Sequence, residues 1–215
     1  MVLQFSTITI SVLALGISAL TAWLTLLRKG KLVMTRPTVV FFGPDIPRQQ
    51  TEENNPKVFL RTLLFSSSRR GHIIQSMSAT VTQNETSQTF NIWVYGDEKL
   101  KRGSGLFVGP DGVVANHHFL VPKDGSGFQF KAGTLNLRIT ADIVGKKEPI
   151  LLFEETLSFS PEQASAMADG NSGIYFDWGT SSQSYFAHID PAPAEFDLLS
   201  SPFELPRRAT SIPEP

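Results

Sequence analysis

From Phe5 to Leu27 the chain runs FSTITISVLALGISALTAWLTLL, without an Asp, Glu, Lys or Arg. No other feature restricts the fold so strongly. At about 1.5 Å per residue, 23 residues make a helix of roughly 35 Å, and a bilayer hydrocarbon core is about 30 Å thick. The Ser and Thr hydroxyls in the run are tolerable in lipid because they can bond back to helix carbonyls. Trp23, near the far end, suits the headgroup region where aromatic rings collect. A cleaved signal peptide is the rival. It wants a basic start, a shorter apolar stretch and a small-x-small cleavage site. Here the start is Met-Val-Leu-Gln, and Ser18 to Ala22 offers only a blurred cleavage pattern. The expectation is an uncleaved anchor over residues 1–30, with residues 5–27 in contact with lipid.

Charge then suggests a direction. Arg28, Lys29, Lys31 and Arg36 follow the apolar run, and only the terminal amine precedes it. The positive-inside tendency therefore predicts the N-terminus outside and the C-terminal domain in the cytoplasm. Removing those four cations from the 19 Lys+Arg leaves 15 against 20 Asp+Glu beyond Pro37, a balance of −5. No broad basic surface is implied, which argues against general nucleic-acid binding. The absence of cysteine excludes disulfide staples, a thiol nucleophile and thiolate metal sites. Ala14, Ser18 and Ala22 stand four apart on one helix face. That spacing lets two helices approach closely, and it also arises simply because small residues are common in such helices.

Beyond Pro37 the hydrophobic pattern has period two. Strands are expected at Thr38–Phe42, Lys57–Phe65, Ile73–Thr82, Phe90–Tyr95, Leu106–Val108, Val113–Val121, Leu135–Ile143 and Ile150–Phe159. Leu135–Ile143 alternates most cleanly, with Leu135, Leu137, Ile139, Ala141 and Ile143 on one face and Asn136, Arg138, Thr140 and Asp142 on the other. Pro110-Asp111-Gly112 marks a tight turn. Ser160-Pro161-Glu162-Gln163 reads as a helix start, with Ser160 as N-cap and Gln163 closing a capping box. Asp169-Gly170-Asn171 stops that helix, and Ile174–Trp178 offers a further strand. Residues 191–215 hold 6 of the chain's 14 prolines and read as a disordered tail.

The run FQFKAGTLNLRITA, Phe128 to Ala141, resembles the late strand of immunoglobulin-like and fibronectin-type domains, with Leu135 where Tyr is usual. The resemblance covers about 14 residues and speaks to fold rather than activity. The expected architecture is thus mainly β: an N-terminal transmembrane helix, an antiparallel immunoglobulin-like β-sandwich over 37–190 with a short C-terminal helix and strand, and a tail over 191–215.

Three constellations invite a functional reading. Gly103-Ser-Gly and Pro110-Asp111-Gly112 leading to Asn116-His117-His118, with Gly170-Asn-Ser-Gly173 further on, resemble the histidine and serine segments of trypsin-superfamily heat-shock proteases. That resemblance implies His118 as base, Asp142 as its orienter and Ser172 as nucleophile. Two departures weigh against it. Only 54 positions separate His118 from Ser172, too few for a second barrel, and Ile174-Tyr175 stands where the family continues Gly-Pro. Second, the four histidines His72, His117, His118 and His188, with Asp190, are metal-ligating types. However, no H-x-x-x-H spacing occurs, and adjacent His117 and His118 on a strand face opposite ways. The ordinary expectation is hydrogen-bonded surface or rim histidines, with no metal and no cofactor. Third, Trp93, Tyr95, His117, His118, Trp178 and His188 gather aromatic and polar rings of the kind that anchor interfaces, or that pack as secondary core. The leading expectation is a membrane-anchored β-sandwich that binds an unidentified protein through this patch or a strand edge. A tethered hydrolase and a His-based metal enzyme are the alternatives.

Overall fold

The computed structural model describes residues 2–28, 30–45, 55–95, 100–102, 105–122, 128–168 and 172–190. The tail expected over 191–215 lies outside them. Helix α1 covers Val2–Ala22 and continues as a wider π-type turn over Trp23–Leu27, closed by the Arg28 N–H on the Trp23 carbonyl. Ile8–Leu27 is long and apolar enough to cross a membrane, and a signal sequence has the same character. Three hydroxyls turn back onto helix carbonyls four residues earlier: Ser18 onto Ala14, Thr21 onto Ile17 and Thr25 onto Thr21. Each satisfies its own polar group without leaving the helix, which is what an apolar solvent requires.

The rest is mainly β. The strands are β1 Leu32–Met34, β2 Val39–Asp45, β3 Asn55–Ser66, β4 His72–Gln83, β5 Thr86–Tyr95, β6 Leu100–Arg102, β7 Leu106–Val108, β8 Val113–Leu120, β9 Gly133–Ile143, β10 Ile150–Phe159, β11 Gly173–Gly179 and β12 Ser184–Asp190. All pairings are antiparallel. The sheet runs β10-β9-β4-β5-β8-β3-β2-β11-β12, with β1 on β3, β6 on β5 and β7 on β4. It curls until it is nearly a barrel. Strand β5 links β4 to β8. Its first half pairs with β4 through Asn91, and Asn91–Trp93 then pair with β8, so one strand serves both halves of the sheet. Strands β1, β6 and β12 are additional to those the sequence pattern predicts. The first two have three residues each, too few to show an alternation.

Aromatic rings fill the space enclosed by the curl. Phe42 of β2 meets Phe159 of β10 edge-on at 5.5 Å between centroids, and Phe159 meets Phe176 of β11 at 5.4 Å. Phe130, just before β9, reaches Phe42 at 5.4 Å and stacks on Phe90 of β5 at 6.2 Å. Edge-to-face pairs of this kind add about 0.5–1.5 kcal/mol each beyond the area they bury. On β9, Leu135, Leu137, Ile139, Ala141 and Ile143 are buried as their alternation predicts. In the run that resembles a late immunoglobulin strand, the strand itself starts only at Gly133; Phe128 and Phe130 enter the core from irregular backbone.

Helix α2 spans Pro161–Ala168. Its capping box forms as read: the Gln163 N–H donates to Ser160 Oγ at 3.2 Å, and the Ser160 N–H donates to Gln163 Oε1 at 2.9 Å. A charged side chain also bridges the two ends of the sheet. Arg36, between β1 and β2, pairs with Glu155 of β10 and lies over the ring of Trp178 on β11.

Candidate functional site

Strand register places six rings in one line across the outer face of the sheet. Trp93 pairs with His118, His118 with Phe59, Phe59 with Phe41, Phe41 with Tyr175, and Tyr175 with His188. Six adjacent strands each contribute one residue at the same height, because partners across an antiparallel pair share a face. Phe59 and His118 have ring centroids 4.8 Å apart, Phe41 and Tyr175 4.8 Å, and Tyr175 and His188 5.3 Å with rings nearly parallel. Phe41 lies down on the sheet over two glycines. A Cβ on Gly173 would stand 2.1 Å from its ring, and one on Gly43 2.6 Å. The middle of the row is consequently buried, with Phe41 and Phe59 each 6% exposed and His118 2%. Trp93 and Tyr175 are half-buried, and His188 is exposed.

Beside the row's open end, His188 Nδ1 is 3.1 Å from Asp177 Oδ2. Burial, together with Asp190 and Asp177, pushes the Tyr175 hydroxyl up to about 12. Tyr175 therefore stays neutral and able to donate a hydrogen bond at any physiological pH.

His117 and His118 face opposite ways, as adjacent strand residues must. His117 points inward, where its Nε2 meets Thr62 Oγ1 at 3.1 Å and its ring lies over Phe119. Both histidines are only 2% exposed, so the expectation of surface or rim histidines is corrected: β8 is covered on both faces at this point. Burial holds His117 down to about 4. It holds His118 lower, to about 3, with Lys57 and His117 adding unfavourable charge. Both are neutral imidazoles at neutral pH.

The expected patch therefore divides. Trp93, His118 and His188 share the outer row. Trp178 does not, because strand alternation sets it on the inner face with Ile174 and Phe176. There it meets Tyr185 at 5.0 Å and Arg36 at 4.2 Å. Tyr185 donates to the Pro37 carbonyl at 2.7 Å, and burial and Glu155 raise its hydroxyl to about 12 despite Arg36. Tyr95 closes β5, and its side chain lies outside the described residues. The sequence reading missed Phe41 and Phe59 as members of the row. Both were visible as strand residues, but only pairing register reveals that they align with His118 and Tyr175.

His118, Asp142 and Ser172 are not brought together. Asp142 is exposed on β9, and β4 and β5 stand between β9 and β8. Ser172 precedes β11, which β3 and β2 separate from β8 on the other side. Three strand steps in each direction is roughly 14 Å, far beyond hydrogen-bond reach. His118 and His188 lie four strand steps apart, and among the described residues no three His, Asp or Glu side chains gather as metal ligands would. No protein-family model, curated protein or solved structure matches this chain.

Proposed function

We propose that this protein is a single-pass, membrane-anchored protein whose immunoglobulin-like β domain acts as a protein-binding or scaffolding module in the cytoplasm. The anchor reading is supported by the uncharged apolar helix and its internally bonded hydroxyls. The sandwich reading is supported by the Phe42–Phe159 and Phe159–Phe176 contacts, which join facing halves of the curled sheet. The orientation rests on the cations that follow Leu27.

The observation that carries the binding role is the end of the sheet at β12. Among the described residues β12 pairs only with β11, and it displays Phe186 at 57% and Ile189 at 37% exposure. Such an edge has no Lys or Pro to discourage a further strand, and it adjoins the exposed end of the aromatic row. The ligand class that fits is an extended segment of another protein, held by backbone pairing to β12 with apolar side chains against Phe186 and Ile189.

A photo-crosslinking residue at Phe186 in the full-length protein tests this in cells. A discrete adduct that is lost when Ile189→Lys is added, and that no crosslinker at Glu85 produces, is the expected result. Equal labelling from both positions would overturn the edge assignment. A reporter active only in the cytosol, fused after Pro215, should give signal; activity only from an external reporter would reverse the orientation.

A further inference from the structure

We infer that the sheet itself makes a second contact with the membrane, laying an apolar rim flanked by basic turns onto an anionic lipid surface. This rests on the reading of α1 as a bilayer span. The first observation is the shortness of the tether. His72 Nε2 donates to the Gly30 carbonyl at 3.1 Å, the Lys31 N–H donates to Ser67 Oγ at 2.7 Å, and the Ser67 N–H donates to the Lys31 carbonyl at 2.9 Å. Residues 30 and 31 are thus fastened to the β3–β4 turn. From Leu27, the last helical residue, to Gly30 is three residues, at most about 11 Å of chain. A span ending at Leu27 therefore keeps this turn within about 11 Å of the hydrocarbon, at or just beyond the polar zone that extends some 5–7 Å on each side.

The second observation is what that end of the sheet displays. Ile73 pairs with Phe107 across β4 and β7, and the Val144 N–H donates to the Ile73 carbonyl at 2.9 Å. The three side chains therefore sit side by side on the outer face. They are 51%, 60% and 56% exposed. Val114, two residues past the Gly112 turn, is 59% exposed at the same end. Water is a poor environment for such a cluster, and on a soluble domain a contiguous apolar rim of this kind marks an interaction surface.

Third, the charges complement an anionic surface. The linker and the turns at this end (residues 28–31, 67–71, 109–112 and 144–149) carry exposed Arg28, Lys31, Arg69, Arg70, Lys146 and Lys147 against Asp111 and Glu148. The rest of the domain beyond Pro37 is net acidic, so cations are concentrated where the tether holds the domain to the membrane. Apolar side chains inserted at headgroup level and ringed by Lys and Arg are the physical signature of interfacial lipid binding. The occupant is a lipid surface rather than a protein because the tether keeps the rim within about 11 Å of the hydrocarbon, where its apolar side chains and flanking cations meet headgroups before any other surface.

The absence of cysteine makes the test clean, because each introduced thiol is unique. Full-length protein carrying a spin label at Val144→Cys, Glu85→Cys or Leu15→Cys is placed in nanodiscs of phosphatidylcholine, with or without phosphatidylglycerol. Glu85 sits in the β4–β5 turn at the opposite end of the sheet. The expected result is a Val144 label shielded from an aqueous nickel chelate and accessible to oxygen in the anionic discs. That shielding is lost when Arg69, Arg70, Lys146 and Lys147 are all changed to Gln, and the Glu85 label stays aqueous throughout. Equal shielding in both lipids would overturn the anionic assignment. A Val144 label as aqueous as the Glu85 label, beside a Leu15 label deep in lipid, overturns the contact and leaves the span standing. A Leu15 label in water overturns the span and the contact together.

Discussion

The guanidinium carbon of Arg36 lies 4.2 Å from the centre of the Trp178 ring, while the same guanidinium pairs with Glu155. Trp178 belongs to β11, next to last at one end of the sheet, and Glu155 to β10 at the other end. One side chain thereby spans the seam that hydrogen bonding leaves open. Arg suits the position because its flat, weakly hydrated head stacks on a ring and still presents N–H groups at its edge.

Arg36→Met should therefore keep the stem packing and lose both charged contacts. The pair is partly exposed, so the expected cost is about 1–2 kcal/mol. Arg36→Lys should recover only part of it, because an ammonium lacks the planar fork. Urea unfolding of the full-length protein in detergent, followed by Trp fluorescence, checks the order wild type, Lys, Met. Equal midpoints for all three would mean that the aromatic core closes the seam unaided.

Gly173 and Phe41 make the second case. A Cβ at position 173 would stand 2.1 Å from the Phe41 ring, a distance no side chain tolerates. Gly173→Ala should destabilise by about 1–3 kcal/mol as the ring is forced up from the sheet. Phe41→Leu in the same background should restore part of the loss, a coupling that a double-mutant cycle measures directly. Strictly additive losses would show that Phe41 is not the residue displaced.

Much of the fold was legible because period-two alternation depends only on neighbours in sequence. Leu135–Ile143 showed its buried face without any knowledge of its partners, and Ser160 with Gln163 showed a helix start. The candidate site was less legible, because it is a property of register. Trp93, His118 and His188 stand out by their chemistry, but nothing local tells that Phe41 and Phe59 lie in line with them. Residue type alone groups Trp178 with that patch, whereas its parity with Ile174 and Phe176 assigns it to the inner face. β1 is illegible for a different reason. Leu32–Met34 is too short to alternate, and it becomes a strand only because β3 extends far enough to receive it.

Thr62 and His117 provide a test of the inner polar contact. Thr62 is 4% exposed and its Oγ1 lies 3.1 Å from His117 Nε2. Thr62→Val preserves shape and removes that contact in an apolar setting, where a forsaken ring nitrogen costs about 1–3 kcal/mol. Replacing both, as Thr62→Val with His117→Phe, should cost less than the single change, because no buried polar atom remains unsatisfied. A double variant weaker than either single would assign the loss to packing instead.

The same histidines make stability depend on acid. Burial lowers His117 to about 4 and His118 to about 3, against an ordinary value of 6.5 in the unfolded chain. Below pH 6.5 the unfolded chain takes up protons that the folded one refuses, so stability is complete above that value and falls as the pH falls. At pH 5 the loss is on the order of 2 kcal/mol per histidine, and it continues until the pH reaches the lowered values. Unfolding midpoints of the full-length protein at pH 7.5, 6, 5 and 4 should fall progressively. The variant His117→Phe with Thr62→Val should flatten the slope by about half, since His118 remains. A profile that is flat from pH 7.5 to 5 in the unaltered protein would mean that His117 and His118 can charge in place, and that β8 is more open on both faces than its burial implies.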